Sequence, residues 1–398
     1  MEKRFSPARL CILATLTLSL LACERLDDDT RTHVPGKEPL PSFLTLEEVA
    51  QILSSVDIGS SQMGEVHDAV TSSTGNGYDE EYTMRDLFET PGAGVGDDAT
   101  KAETRSYANP LRDLLADAVR ARYGTKAGEG GVSADEFLDA LTASDVQIYW
   151  PFSDAWNGSE APVITFDPED NSDKNVGYIL GADGSAQSVI VDEQMARERP
   201  VWVVNRNDDS AYRSLEVLRR DDPDWGTGGG LISLKSDAST DPVHTLVLRS
   251  FKANRSYDSW FAGASEFFVR CGSADKFTAK TAEDIKSYSP TITDFMVVVK
   301  RNQIGTEIPF NAVLVSDWTD QVENVAFMIV EDDGGTRTNW KCSTKVVVKS
   351  KTYSFDIDLP INTSDDIVWR GQLSYRYVQK YSGKTGHFGD VDMVLELI

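Results

Sequence analysis

The chain has 398 residues, 40% hydrophobic and 26% charged, a globular composition that excludes collagen-like, low-complexity and disulfide-dense proteins. With 39 Lys and Arg against 64 Asp and Glu, the formal net charge is −25, which repels polyanions, so we expect no nucleic-acid partner. The length is sufficient for two or three domains.

The amino terminus has the pattern of an export signal. Lys3, Arg4 and Arg9 precede an uncharged apolar run over residues 10–22. At about 1.5 Å per residue, the run covers roughly 20 Å of helix, less than the roughly 30 Å hydrocarbon core of a bilayer. We therefore predict that residues 1–22 form a signal peptide and not a membrane-spanning helix.

The apolar run ends in Leu20-Leu21-Ala22-Cys23, which resembles the lipobox of bacterial lipoproteins. The resemblance implies that Cys23 begins the mature chain and carries a diacylglyceryl group on sulfur and a palmitate-like acyl chain on nitrogen. Each buried CH₂ contributes about 0.8 kcal/mol, so several chains give a stable anchor where one binds only marginally. The alternative is a soluble export signal with an incidental cysteine.

An acidic triplet, Asp27, Asp28 and Asp29, follows the predicted anchor. It resembles the export tag of surface-exposed lipoproteins in the Bacteroidetes, and this resemblance implies display at the outer cell surface. The alternative is that the aspartates only solvate a tether. Residues 23–42 are predicted to be a flexible tether because three prolines among them disfavour helix.

Residues 43–145 are predicted to be a helical region. Capping boxes at Thr45 and Ser133 each precede an apolar stripe with helical spacing. Between them, a longer helix is predicted to begin at Pro110 and to end before Gly124.

Beyond residue 145 the apolar residues alternate with a period of two, which is typical of strands. We assign residues 146–265 to a middle β-rich domain and 266–398, which has seven predicted strands, to an antiparallel β-sandwich. Alternation over residues 353–359 predicts one buried and one wet face. Residues 367–378 are predicted to be a single strand. The predicted fold class is α+β, mainly β.

Four segments together resemble uncharacterised lipoproteins of gut Bacteroidetes; they are residues 82–88, 91–96, 108–115 and 148–152. The resemblance spans most of the mature chain. It implies an outer-membrane location and an order of helices followed by sheets. It implies no activity and no functional residue.

The sequence contains no catalytic motif that would indicate an enzyme. The four histidines, at positions 33, 67, 244 and 387, are scattered and lack zinc-ligand spacing, and no Gly-x-Ser-x-Gly sequence occurs. We therefore predict no catalytic residue. A hydrolase of polysaccharide or envelope polymers stays as an alternative, because paired carboxylates cannot be recognised by sequence in so acidic a chain.

Two acidic loops suggest a metal site. If the last strands run up and down, Asp332 and Asp333 share one end of the sandwich with Asp365 and Asp366. Ca²⁺ binds six to eight hard oxygen ligands, so a Ca²⁺ site is predicted there. The alternative is that both loops are ordinary acidic turns.

Aromatic residues crowd the segment after residue 148. Exposed faces of Trp150 and Trp156 would stack on sugar rings and form a glycan platform. The alternative is that these side chains fill a core.

Two cysteines remain in the body of the mature chain. Cys271 and Cys342 form a disulfide, worth about 4 kcal/mol in the chain-entropy model, or stay as free thiols. The residues leave both alternatives open.

Together these features predict a lipid-anchored outer-membrane protein, displayed at the cell surface, that binds a glycan or a protein without catalysis. One alternative is the hydrolase described above. Another is a fimbrial or envelope subunit, since the chain ends in an apolar strand over residues 391–398 that can pair with a neighbour.

Overall fold

In the computed structural model of this chain, strand accounts for 44% of the described residues and helix for 25%. This confirms the predicted α+β, mainly β class. The predicted signal peptide, Cys23, and Asp27, Asp28 and Asp29 lie outside the described residues. The structure describes residues 39–71, 80–88, 107, 109–124, 131–158, 160–170, 172–181, 186–207 and 243–398.

The described residues form seven α-helices and sixteen β-strands. The helices are α1 (Leu46–Ser54), α2 (Ser60–Val70), α3 (Met84–Phe88), α4 (Leu111–Tyr123), α5 (Ala134–Ala143), α6 (Glu193–Glu198) and α7 (Tyr375–Tyr381). The first strands are β1 (Glu81–Thr83), β2 (Val146–Tyr149), β3 (Val163–Phe166), β4 (Lys174–Leu180), β5 (Ala186–Asp192) and β6 (Val201–Arg206). The later strands are β7 (Val243–Ala253), β8 (Ser265–Ser273), β9 (Thr291–Val299), β10 (Ile308–Thr319), β11 (Asn324–Glu331), β12 (Arg337–Val348), β13 (Lys351–Asn362), β14 (Asp366–Ser374), β15 (Lys384–Phe388) and β16 (Val391–Leu397). No helix in this described part of the chain has the length and apolar character needed to cross a bilayer.

The helix starts follow the predicted capping chemistry. Thr45 Oγ1 accepts a hydrogen bond from the backbone N–H of Glu48 at 3.1 Å, and Ser133 Oγ accepts one from Glu136 at 3.2 Å. Helix α4 follows Pro110, which has no side-chain acceptor. A carboxylate from α2 supplies one instead, since Glu65 Oε2 accepts from the backbone N–H of Leu111 at 2.8 Å.

Residues 39–207, here called the N-terminal unit, are built on a six-stranded sheet of order β1-β2-β6-β3-β4-β5. Only the β3–β6 pair is parallel among these strands. Apolar residues of α1, α2, α4 and α5 form one core with the sheet face that carries Trp202. The opposite face forms a second core, into which Trp260 and Phe261 of a later segment insert.

The sandwich consists of two four-stranded sheets. The first sheet has the order β10-β7-β16-β15 and the second sheet has the order β14-β11-β8-β9. Phe251 of the first sheet contacts Phe267 of the second, with ring centroids 5.4 Å apart. The β12–β13 hairpin, here called the hairpin, covers the other face of the second sheet, because Gly272 lies directly under Ile357 and Leu359. Strand β8 is therefore buried along its whole length.

Strand pairing groups the chain differently from the predicted boundaries at residues 145 and 265. Strands β2 to β6 lie in one sheet with β1, and this sheet forms a core with the helices. The predicted helical region and the strands β2 to β6 of the predicted middle β-rich domain therefore belong to one structural unit. Strand β7 pairs with β10 and β16 and therefore belongs to the sandwich. A periodicity of two identifies a strand but not its partner.

The close contact at Gly272 gives a stability prediction. A Cβ added there would lie 2.4 Å from Ile357 Cγ2, so Gly272→Ala should lower the free energy of unfolding by about 1–3 kcal/mol through overpacking. Gly64, inside α2, is the matched control because an added Cβ there meets no atom within 4 Å. Gly64→Ala should stabilise by about 0.5–1 kcal/mol. Urea unfolding of the mature chain measures both, and equal effects would contradict the packing described.

Candidate functional site

The principal cluster of charged side chains lies where strand β11 ends. Glu331 pairs with Phe267 of β8, so its side chain points toward the interior between the two sheets. The next residue, Asp332, points to the opposite face, where the hairpin lies, and accepts a hydrogen bond from Asn362 Nδ2 at 2.9 Å. Strand alternation thus divides one acidic run between two environments.

On the hairpin side, Arg270 of β8 is 2% exposed and compensates two carboxylates. Its Nε donates to Asp294 Oδ1 at 3.0 Å, and its Nη1 lies 3.7 Å from Asp365 Oδ2. The guanidinium also lies 4.4 Å from the ring centroid of Phe268, a cation–π contact. Arg270 is therefore the central cation of this buried group.

The carboxylates around Arg270 receive further donors. The backbone N–H of Asn362 donates to Asp365 Oδ2 at 2.9 Å, and that of Gly334 donates to Asp332 Oδ1 at 3.1 Å. Burial, followed by the neighbouring Asp332 carboxylate, raises the pKa of Asp365 to about 7. This half of the site is a hydrogen-bonded network that holds the hairpin on the second sheet.

On the interior side, three carboxylates meet. Carboxylate oxygens of Asp258, Glu331 and Asp333 all lie within 4.8 Å of one another. Glu331 is 0% exposed, no N–H donor among the described residues reaches its carboxylate oxygens, and the group within hydrogen-bond reach is the Asp258 carboxyl. Burial, followed by the Asp258 carboxylate, raises the pKa of Glu331 to about 12. A proton or a cation is required to hold these groups together.

The predicted Ca²⁺ ligands are therefore distributed between two places. Asp332 and Asp365 come together, as predicted, but they face Arg270 and Asn362. Asp333 joins the interior group, and Asp366 pairs with Glu331 across β11 and β14. Sequence reasoning placed Glu331 in the acidic loop at this point but missed Asp258, since no local pattern places residue 258 beside residue 331.

The predicted glycan platform is not accessible at Trp150. This side chain is 1% exposed and packs with Trp202 and Trp156 at centroid distances of 5.8 and 5.5 Å. Trp156 is half-buried against His67. Trp150 follows strand β2 on the sheet face that the helices cover, so the core alternative is correct for it.

An exposed aromatic pair lies elsewhere, on the sandwich. Tyr377 and Tyr381 of α7 are 42% and 40% exposed, and their ring centroids are 4.8 Å apart. They border a groove whose other lining residues include Val378, Lys384 and Phe388. Sequence reasoning missed this pair because residues 367–378 were predicted to be one strand.

The prediction of a continuous strand over residues 367–378 is wrong at its end. Ser374 Oγ accepts a hydrogen bond from the backbone N–H of Tyr377 at 3.2 Å and caps α7. The signal that favours a helix is the serine cap, followed by tyrosines four residues apart.

Of the two alternatives left open by the sequence, the structure shows the one without a disulfide, since Cys271 and Cys342 are not joined. Cys271 on β8 has the same strand parity as Phe267 and therefore points to the first sheet, whereas Cys342 lies on the hairpin across the second sheet. A bridge between them would have to pass through the second sheet. Burial raises the pKa of the Cys271 thiol far above its usual value, which makes it unreactive.

Comparisons with models of known protein families, with curated proteins and with solved structures each find no match for this chain.

The Arg270 network gives a second stability prediction. Arg270→Met leaves two carboxylates without their cation, so the free energy of unfolding should fall by about 3–5 kcal/mol. The loss should be larger at about pH 8 than at about pH 5, since protonation of Asp365 relieves the unpaired charge.

The control for that variant is Arg249→Met on the first sheet. Arg249 forms an ion pair with Glu396 that is about one-third exposed, and its removal should cost about 1 kcal/mol or less. Urea unfolding at both pH values measures the difference. Equal losses for the two arginine variants would contradict the role assigned to Arg270.

Proposed function

We infer that this chain is a lipid-anchored protein of the outer membrane, displayed at the cell surface, that binds a glycan. The sequence pattern around Cys23 supports the anchor, and the aspartates at 27–29 support surface display. Both arguments rest on sequence resemblance.

The exposed pair Tyr377 and Tyr381 is the observation that carries the binding proposal. Aromatic faces stack on the apolar C–H faces of sugar rings, and the tyrosine hydroxyls supply hydrogen bonds at the edge. The neighbouring groove has an apolar floor with Lys384 at its margin.

The burial of the acidic cluster favours binding over hydrolysis. A glycosidase needs two carboxyl groups that a substrate can reach. Glu331 and Asp365, whose pKa values are raised, are both buried beneath other side chains. They are placed to stabilise the fold or to hold an ion, and not to contact a polymer.

The carboxyl-terminal strand does not favour the fimbrial alternative. Strand β16 lies between β7 and β15 and pairs with both. Its backbone groups are thus used within the first sheet. A neighbouring chain would have to displace one of these strands to pair with it.

The anchor is tested on the full chain expressed in a Bacteroidetes host. Mass spectrometry of the amino-terminal peptide should find Cys23 as first residue, with a diacylglyceryl thioether and an N-acyl group, and protease should digest the protein on intact cells. Cys23→Ser should lose the lipid and leave the membrane fraction. An unmodified mature start at another residue would contradict the anchor.

Glycan binding is tested with the lipid-free chain from Glu24 on an array of bacterial and dietary polysaccharides. Tyr377→Ala combined with Tyr381→Ala should weaken binding about 10-fold or more, because both stacking faces are removed. The control is Ile190→Ala, which removes an exposed apolar side chain from β5 of the N-terminal unit. Unchanged binding by a folded tyrosine double variant, or binding by no glycan, would contradict the proposal.

A further inference from the structure

The Glu331 carboxylate is in an unusual position for an acidic group. It is fully buried, and no N–H group of the described residues donates to it, although a buried carboxylate normally receives such hydrogen bonds. Carboxylate oxygens of Asp258 and Asp333, which are also acceptors, lie within 4.8 Å of it. Two acceptors attract each other only when a proton or a cation lies between them.

We propose that Asp258, Glu331 and Asp333 bind one divalent cation, Ca²⁺, at the end of strand β11. The three side chains contribute only oxygen ligands, which hard cations prefer over the softer transition metals. This site is independent of the glycan surface proposed above. It also differs from the predicted set, from which it keeps only Asp333.

The burial of Glu331 favours Ca²⁺ over Mg²⁺. The three carboxylate oxygens lie within 4.8 Å of one another. Mg²⁺ also retains several waters, for which the fully buried Glu331 side chain leaves little space.

The three residues provide a path from solvent to the buried ligand. Asp333 is exposed, Asp258 is half-buried and Glu331 is buried. An ion is therefore captured first by Asp333 and then coordinated by Asp258 and Glu331. Each carboxylate binds the ion in its ionised form.

The cation would join two parts of the fold. Asp258 lies on the segment that carries Trp260 and Phe261 into the N-terminal unit. That segment is held there by hydrogen bonds from Trp260 Nε1 to the Asp173 carbonyl at 3.0 Å and from Asn205 Nδ2 to the Phe261 carbonyl at 3.1 Å. Coordination of the same ion by Glu331 would connect this segment to the sandwich.

The test is calorimetric titration and thermal unfolding of the lipid-free chain from Glu24, with CaCl₂ after chelator treatment. The wild type should bind one Ca²⁺ per chain, and its Tm should rise by about 2 °C or more at about 10 mM CaCl₂. Glu331→Gln should abolish the rise, while its Tm in chelator equals or exceeds that of the wild type, because the variant buries no carboxylate.

Two further variants keep the test decisive if Glu331→Gln does not fold. Asp333→Asn changes an exposed residue and should raise the Kd for Ca²⁺ about 10-fold. Asp358→Asn, on the exposed face of β13, removes the same charge away from the cluster and should bind like the wild type. The proposal is overturned if the wild type neither binds Ca²⁺ nor gains Tm, or if Asp333→Asn and Asp358→Asn respond alike.

Discussion

Strand β8 is covered on both faces, and this constraint shapes the chemistry of the sandwich. The first sheet lies against one face and the hairpin against the other, so all nine residues of the strand are buried. Water cannot solvate the charges on this strand or beside it. Arg270 is therefore matched by Asp294 and Asp365, and the adjacent Glu331 must be neutralised by a proton or an ion.

Alternation along β11 gives the two consecutive acids different chemistry. Asp332 lies in the group that contains the Arg270 guanidinium and several N–H donors. These groups compensate the carboxylate charge without a metal. Glu331 instead meets the carboxylates of Asp258 and Asp333. Because Asp258 belongs to the segment that reaches the N-terminal unit, the charge state of the second group affects how firmly the two parts are connected. A cation at this point would make the connection between the two parts more rigid.

Local chemistry made part of the fold predictable. The caps at Thr45 and Ser133 fix helix starts through contacts three residues apart, and the alternation over residues 353–359 fixes a buried face of β13. Pairing was not predictable, because β7 finds its partners far along the chain. For the same reason, the sequence predicted acidic residues near the end of β11. It could not predict that Glu331 and Asp332 point into different environments or that Asp258 lies beside Glu331.

The central claim is that a bound cation neutralises the buried Glu331 carboxylate. The most direct measurement is long-wavelength anomalous diffraction from crystals of the lipid-free chain grown in CaCl₂. The account predicts one anomalous peak about 2.4 Å from a Glu331 carboxylate oxygen, with Asp258 and Asp333 oxygens at similar distances. Absence of a peak there, with Glu331 and Asp258 at hydrogen-bond distance and sharing a proton, would contradict it.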